Sequence, residues 1–303
     1  MRIIYNTKIN DGEEKREMEL LYKEISENDY AMVREMLLQD AETSEDFLWA
    51  LQNEPETLTA ACIEEEIVAV AQIIPGKKAS CLTVFVAPQY RRKGIGQSVV
   101  QYGENKLHKE ASKIMTNFHA DNEVSKRFAR KFGYEREFSS AYMKHTEGRF
   151  TIGELPVRLY IDEDYPQSHA LYAQAFHEMR IKVGGFPDSM VEQPSEKNRQ
   201  AWNADAVNRF TYEENDEIAG HGHLEGNEIG SVSVKTDLQG HGIGKKFVMY
   251  LCNEIYNRGY KEVVLWCVTG NNARKLYDSL GFREQYIAEF AYKNIQPKKN
   301  INF

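Results

Sequence analysis

Residues 86–134 can be laid over residues 234–282 at a constant offset of 148, without a gap. The identical pairs are Val86/Val234, Gly94/Gly242, Ile95/Ile243, Gly96/Gly244, Val100/Val248, Tyr102/Tyr250, Asn105/Asn253, Lys113/Lys261 and Gly133/Gly281. Phe118/Trp266, Phe132/Leu280 and Tyr134/Phe282 keep their character. Agreement in glycines, apolar positions and spacing together marks two copies of one domain. A chain of 303 residues is long enough for two domains of about 150 residues each. The boundary is expected within 146–153, giving domains 1–148 and 149–303, with residues 1–16 an extension of no evident purpose.

Both copies carry the same order of signals. In the second, 209–213, 218–224 and the Val-rich 229–234 read as strands, the first two separated by an Asn215-Asp216-Glu217 turn. Ile243, Phe247, Leu251 and Ile255 recur every four residues, as on one face of a helix, and Gly259 stops it. The apolar run 261–268 suits a central strand. A short helix at 271–280 ends at Gly281, and 286–292 is a last strand. The first copy repeats this as strand 82–86, helix 95–109, strand 113–118, helix 123–132 and strand 139–144. A strand at 19–25 and helices at 29–37 and 44–51 precede them, matched in copy two by 157–161 and 168–181. Residues 187–198 read as a loop where a substrate lid would sit. The fold class is therefore α/β (α+β), with two tandem domains, each a mixed sheet flanked by helices.

Composition narrows the partners. With 38 basic against 46 acidic residues the net charge is −8, too acidic for a protein that displaces counterions from nucleic acid, and weakly suited to a cationic or amine substrate. No run approaches the roughly 18–20 apolar residues that cross a bilayer. The charged first twenty residues give no secretory leader, so a cytoplasmic location and no membrane partner are expected. Cys62, Cys81, Cys252 and Cys267 have no metal-ligand spacing and read as reduced, mostly buried thiols. No metal is expected. His221 and His223 share one face of a strand, toward an acceptor or a metal, but no third ligand is evident, and an ordinary half-buried pair is the simpler reading. Trp49, Trp202 and Trp266 read as core or lining residues.

Each copy has a strand, a turn and a Gly-rich loop opening a helix: Arg91-Arg92-Lys93-Gly94-Ile95-Gly96 and Gln239-Gly240-His241-Gly242-Ile243-Gly244. Glycines let the backbone approach an anion, toward which the free N–H groups of the helix start point. The dinucleotide fingerprint is not met, because Val99 and Phe247 occupy its third glycine position. Q/R-x-x-G-x-G/A after a strand, followed by helix, strand, helix and the closing Gly133-Tyr134 or Gly281-Phe282, resembles the Gcn5-related N-acetyltransferase (GNAT) superfamily, here as a tandem member.

The resemblance implies that each sheet is partly splayed, the strand before the loop parting from its neighbour, and that acetyl-CoA, or another acyl-CoA, is the co-substrate. Its pyrophosphate would lie on Gln239, Gly240, His241, Gly242, Ile243, Gly244 and Lys245, and its pantetheine arm along Val232 and Val234. Lys246 would add charge near the phosphates. The counterparts in copy one are Val84, Val86, Arg91, Arg92, Gly94 and Gly96. The family's helix-start Asn is Asn122 in copy one. In copy two the gapless alignment reaches Gly270 instead, with Asn271 next. The family's base, eleven residues before the loop's Gln or Arg, falls on Glu228 in copy two and on Ser80 in copy one. Its general acid, a Tyr four residues before the closing glycine, falls on Tyr277 in copy two and on Ala129 in copy one. Copy two is thus the expected catalytic domain, with the Val234 N–H polarising the carbonyl, and copy one the degenerate one. The implied activity is acyl transfer to a primary amine of a small molecule or peptide; the alternative is a non-catalytic CoA-binding or sensing module. Two copies in one chain would form an internal pseudo-dimer in a monomer, or the chain a homodimer.

Overall fold

Apolar runs separated by turn residues form strands in the same order in both halves of the chain. The computed structural model describes residues 3–11, 14–76, 79–107, 112–186 and 189–295. The first half contains β1 (Ile3–Asp11), β2 (Glu14–Glu24), α1 (Tyr30–Leu38), α2 (Glu45–Asn53), β3 (Leu58–Ile63), β4 (Glu66–Ile74), β5 (Ser80–Val86), α3 (Ile95–Leu107), β6 (Lys113–His119), α4 (Glu123–Lys131) and β7 (Glu135–His145). The second contains β8 (Val157–Leu159), α5 (Tyr165–Val183), α6 (Glu196–Ala204), β9 (Arg209–Glu214), β10 (Glu217–Glu225), β11 (Glu228–Val234), α7 (Ile243–Asn257), β12 (Val263–Val268), α8 (Ala273–Ser279) and β13 (Arg283–Asn294).

β2 pairs antiparallel with β3 after the chain has passed through α1 and α2, β3, β4 and β5 follow as antiparallel neighbours, and α3 then carries the chain over to β6, parallel to β5. The same plan joins β8 to β11 and crosses through α7 to β12. Each crossover helix buries its apolar face against the sheet. Ile243, Phe247, Leu251 and Ile255 of α7 are in the core with Leu224, Ile229, Val263 and Leu265. Helices α1 and α2 cover the other face of the first sheet through Val33, Leu37, Phe47 and Leu51. Helix α5 lies against β10 and β11.

Three expectations change. The extension 1–16 contains β1, paired with β2 from Ile3↔Tyr22 to Asp11↔Glu14. In the segment 187–198, residues 187 and 188 lie outside the described residues, and from Glu196 onward it is helix, capped by the Ser195 hydroxyl on the Asn198 N–H at 3.2 Å. Most importantly, the compact units are 1–136 with 290–303, and 137–289, not 1–148 and 149–303. Strand β7, expected to close copy one, pairs with β12 from Val263↔His145 to Val268↔Ser140 and puts Ala141 and Met143 into the core of unit 2. The end of the chain instead serves unit 1. Ala291 and Ile295 are in its core, Lys293 bonds Glu104 at 2.8 Å, and Ile295 N–H donates to Ser112 O at 2.8 Å. An apolar strand pairs wherever an open edge accepts its pattern, so the repeat alone does not choose between the two partners.

The gapless offset also slips locally. Ile114 faces the core of unit 1, whereas Val263, Leu265 and Cys267 face that of unit 2, an odd spacing. At the strand ends, Asn122 N–H donates to His119 O and Asn271 N–H to Val268 O, an offset of 149. The offset returns to 148 at Tyr134 N–H to Ala129 O and Phe282 N–H to Tyr277 O. Asn271, not Gly270, is thus the counterpart of Asn122, and Trp266 does not occupy the place of Phe118.

A chain ending at Glu289 is expected to destabilise unit 1, by about 3 kcal/mol or more, while unit 2 keeps its urea midpoint. Urea melts read by limited proteolysis within 1–136 and within 137–289 check this.

Candidate functional site

Strand β11 is paired with β10 along its length, from Glu225↔Glu228 to Gly220↔Val234. On its other edge it meets β12 at Glu228↔Val264, where the Val264 N–H donates to Asn227 O at 3.0 Å. Among the described residues no later residue of β11 pairs with β12. Lys235 N–H donates to Ala219 O at 2.8 Å. Backbone alternation therefore turns the N–H groups of Val234 and Val232 the other way, into the gap beside β12. Unit 1 has the same break: β5 and β6 pair at Ser80↔Ile114 and Cys81↔Met115, and Ala87 N–H donates to Val68 O, so Val84 and Val86 face the gap.

One residue separates the two units at this point. In β11, Ser231 pairs with His223 and Ile229 with Leu224, leaving Gly230 as a bulge. The ladder between β4 and β5 runs without a shift. The bulge reverses the facing of what precedes it. Val232 and Val234 pack toward α7, but Glu228 shares the α5 face with Ser231 and Ser233, beside Glu225, His223 and His221. In unit 1, Ser80 stays on the inner face with Leu82, and its hydroxyl bonds the backbone of Gly76 at 3.0 Å.

Burial raises the Glu228 carboxyl, and the neighbouring Glu225 raises it further, to about 7. A carboxylate poised there exchanges protons near neutrality. Tyr277 lies in α8 against Phe282, 8% exposed, and its phenol is raised chiefly by burial. Burial holds that phenol in its neutral form. Ala129 stands in its place in unit 1.

The two loops have matching geometry. Gln239 Nε2 donates to Val234 O at 3.0 Å, and Arg91 Nε to Val86 O at 2.9 Å, so each ties its loop to the strand end. Gly240 and Gly242 have φ of +82° and +85°; the corresponding Arg92 and Gly94 have +66° and +89°. No side chain caps α7, and a Cβ on Gly240 or Gly242 would meet nothing within 4 Å. Open space, unpaired N–H groups and a helix N-terminus fit a pyrophosphate. Gly244 sits over Leu276 and Gly96 over Phe128. His241 Nδ1 is 3.4 Å from Leu238 O, and Lys245 starts α7 beside Gly244 and Ile243. The Arg91 guanidinium is held by Asp40 at 2.6 Å and lies over Phe85, which occupies the charge expected to meet phosphate. Asn122 caps α4, accepting from Ser125 N–H at 3.0 Å, and Asn271, one residue before the cap position of α8, accepts from Ala273 N–H at 3.0 Å.

A groove of about 560 Å³ runs beside Val234, between Leu171 and Gln174 of α5 and the segment Lys235 to Asp237. At a different place, between β5 and β6 of unit 1, a cleft of about 70 Å³ is lined by Leu82, Phe118, Phe128 and Phe132, among others. Sequence reasoning missed the polar cluster under α5. His221 is fully buried, stacked on Trp202 at 4.6 Å, and burial holds its imidazole neutral, down to about 3. His223 Nε2 is 2.7 Å from Asp205 Oδ2. No group of three metal-ligating side chains occurs among the described residues, nor any helix long and apolar enough to cross a membrane.

Residues 19–134 match the family model described as acetyltransferase (GNAT) family, and residues 210–291 the one described as FR47-like protein. No curated protein matches the sequence. Among solved structures, a GCN5-related N-acetyltransferase from Sphaerobacter thermophilus is 18% identical, with a TM-score of 0.67, over 92% of this chain and 96% of its own. A tandem GNAT protein from the clavulanic acid biosynthesis pathway is 15% identical, with a TM-score of 0.58, over 92% and 100%. The GCN5-related glucosamine N-acetyltransferase region of a fungal β-N-acetylglucosaminidase is 14% identical, with a TM-score of 0.64, over 91% of this chain and 38% of its own. The chain carries the GNAT fold twice, and residues 19–134 belong to the GNAT family. The family's general chemistry is acyl transfer from an acyl-CoA to an amine.

Arg92 adopts a left-handed conformation where unit 2 has Gly240. Arg92→Gly is expected to stabilise unit 1 by about 1 kcal/mol, a rise in urea midpoint that Gly240→Ala reverses in unit 2.

Proposed function

We propose that the protein is an N-acetyltransferase whose 137–289 unit moves an acetyl group from acetyl-CoA to a primary amine by direct attack in a ternary complex. The observation that carries this reading is the one-sided pairing of β11. Two N–H groups, of Val232 and Val234, face a gap, with Glu228 at its closed end and an open helix N-terminus beyond its mouth. Acetyl-CoA, when bound, supplies the activated acyl thioester. The loop 239–244 and Lys245 hold its pyrophosphate, and the edge of β11 pairs with its amide-bearing arm. Asn271 stands beside that edge at the start of α8.

Glu228, on the α5 face, takes the proton that the incoming ammonium must lose. The Val232 N–H, two residues nearer Glu228 than the Val234 N–H expected for this role, polarises the carbonyl oxygen as charge develops there, and the Val234 N–H, at the mouth, pairs with the arm. Tyr277 gives a proton to the departing thiolate. Unit 1 has no part in the chemistry on this reading: Ser80 is turned inward, Ala129 has no proton, and the cleft is small beside the roughly 300 Å³ or more of ordinary ligand pockets.

Titration calorimetry with acetyl-CoA followed by a primary-amine screen for thiol release tests the reading. Binding at one site with turnover supports it. Binding without turnover leaves a CoA-binding module, and no binding removes the proposal. Glu228 acts only when ionised, so kcat/KM rises with pH through about 7. Glu228→Gln is expected to abolish that limb and lower turnover about 10²-fold, with acetyl-CoA affinity nearly unchanged. Folding responds in the opposite sense. The folded protein holds this proton more tightly than the unfolded chain, whose ordinary value is 4.5, so stability falls as pH rises from 4.5 through 7. Glu228→Gln flattens that fall. Tyr277→Phe is expected to lower kcat by about 10² or more, read as initial rates at saturating acetyl-CoA.

A further inference from the structure

Beside the broken ladder, on the α5 face of unit 2, three aromatic rings come together from neighbouring strands. Val263, Leu265 and Cys267 of β12 point into the core, so Val264, Trp266 and Val268 take the opposite face, which Val264 shares with its partner Glu228. Tyr142 is paired with Trp266 across β7 and β12, on the same face because Ala141 and Met143 are in the core. The ring of Tyr142 is 4.9 Å from Trp266 and 5.3 Å from Tyr286, and Trp266 and Tyr286 are 5.8 Å apart. All three are half-buried and keep open surface. Further along β7, Phe138 stacks at 4.6 Å on Phe186, just past the end of α5. β12 runs parallel to β11, so Trp266 borders the gap two residues beyond Val264. At about 3.3 Å of rise per residue and 4.8 Å between strands, its Cα lies on the order of 8 Å from that of Glu228.

We infer that Trp266, Tyr142 and Tyr286 select the acceptor: a primary amine two or three bonds from an aromatic ring. The amine lies at Glu228 and the ring lies against the Trp266 wall. The inference rests on the proposed acyl transfer at this site. Stacked and edge-on rings favour an aromatic substituent over an alkyl chain of similar size, and the adjacent Glu225 and Glu228 favour a cationic head. The same chemistry occurs in free arylalkylamines and in peptides that begin with phenylalanine, so both enter the test.

The experiment compares kcat/KM for phenethylamine, n-butylamine and the tripeptide Phe-Gly-Gly, with the full chain and acetyl-CoA. Phenethylamine is expected to exceed n-butylamine at least tenfold. Trp266→Ala is expected to erase most of that ratio through KM, whereas Trp266→Phe retains it. Unchanged acetyl-CoA affinity shows that a variant is folded. A tripeptide rate equal to that of phenethylamine assigns the site to peptides, and a rate below that of n-butylamine assigns it to free amines. Equal rates for phenethylamine and n-butylamine, or a preference that survives Trp266→Ala, overturn the inference. Should no amine be acylated, acyl transfer itself fails, and the wall is read by fluorescence. Saturable quenching of Trp266 by phenethylamine, lost in Trp266→Phe, supports it, and no quenching overturns it.

Discussion

A backbone N–H that leaves its ladder needs another partner, and in unit 2 the parting of β11 from β12 creates such groups at a fixed place. Glu228↔Val264 holds the two strands together at one end. From there β11 stays bound to β10 while its other edge faces a gap that widens toward the glycine loop. An open edge inside a sheet is ordinarily a liability. Here it is fenced by α7 on one face and α5 on the other, which suits an extended chain carrying amide groups better than a second strand. Gln239 fastens the end of the edge strand through the Val234 carbonyl, so the loop and the edge keep one geometry.

Much of this was legible in the residues. The two glycine loops, the crossover helices and the closing Gly-aromatic pairs carry local chemistry that a sequence states directly, and the elements appear where periodicity puts them. Strand exchange was not legible, because β7 and the end of β13 have the same alternation and either fits either unit. The one-residue slip was hidden for a different reason. Lys113/Lys261 and Phe118/Trp266 look like a continued match, although the connection before β12 is longer by one residue and reverses which side chains face inward. The bulge at Gly230 left a trace, a glycine within a Val-rich strand, whose meaning depends on the pairing with β10. The His221–Trp202 stack joins residues from β10 and α6, a tertiary contact with no local signal.

On the proposed reading, in which unit 1 takes no part in the chemistry, few changes separate the two units. Both have the broken ladder and the same loop conformation, down to the left-handed residues at the second and fourth loop positions. Unit 1 lacks the bulge, so its strand keeps one facing throughout. Leu82, aligned with Gly230, fills the space that Gly103 leaves in α3. Arg91 is bound to Asp40, and aromatic side chains occupy the cleft. Each change replaces an open or charged feature with packing. A module relieved of chemistry drifts that way, because filling a cleft stabilises and an unused carboxylate in an apolar place does not.

The polar interior beneath α5 and α6 runs against that tendency. Both ring nitrogens of His221, Nε2 of His169, Nε of Arg209 and the hydroxyls of Tyr160, Ser168 and Thr211 are buried without a protein partner. Left dry, each such group costs about 1–3 kcal/mol, far more than the Trp202 stack on His221 returns. Ordered water is the ordinary partner for groups so placed. These groups lie on the side of β10 that carries His223 and Glu225 toward Glu228, so a polar interior backs the carboxylate on one side while the Trp266 wall bounds it on the other. A carboxyl between the two is dry enough, and close enough to Glu225, to hold its proton to about 7.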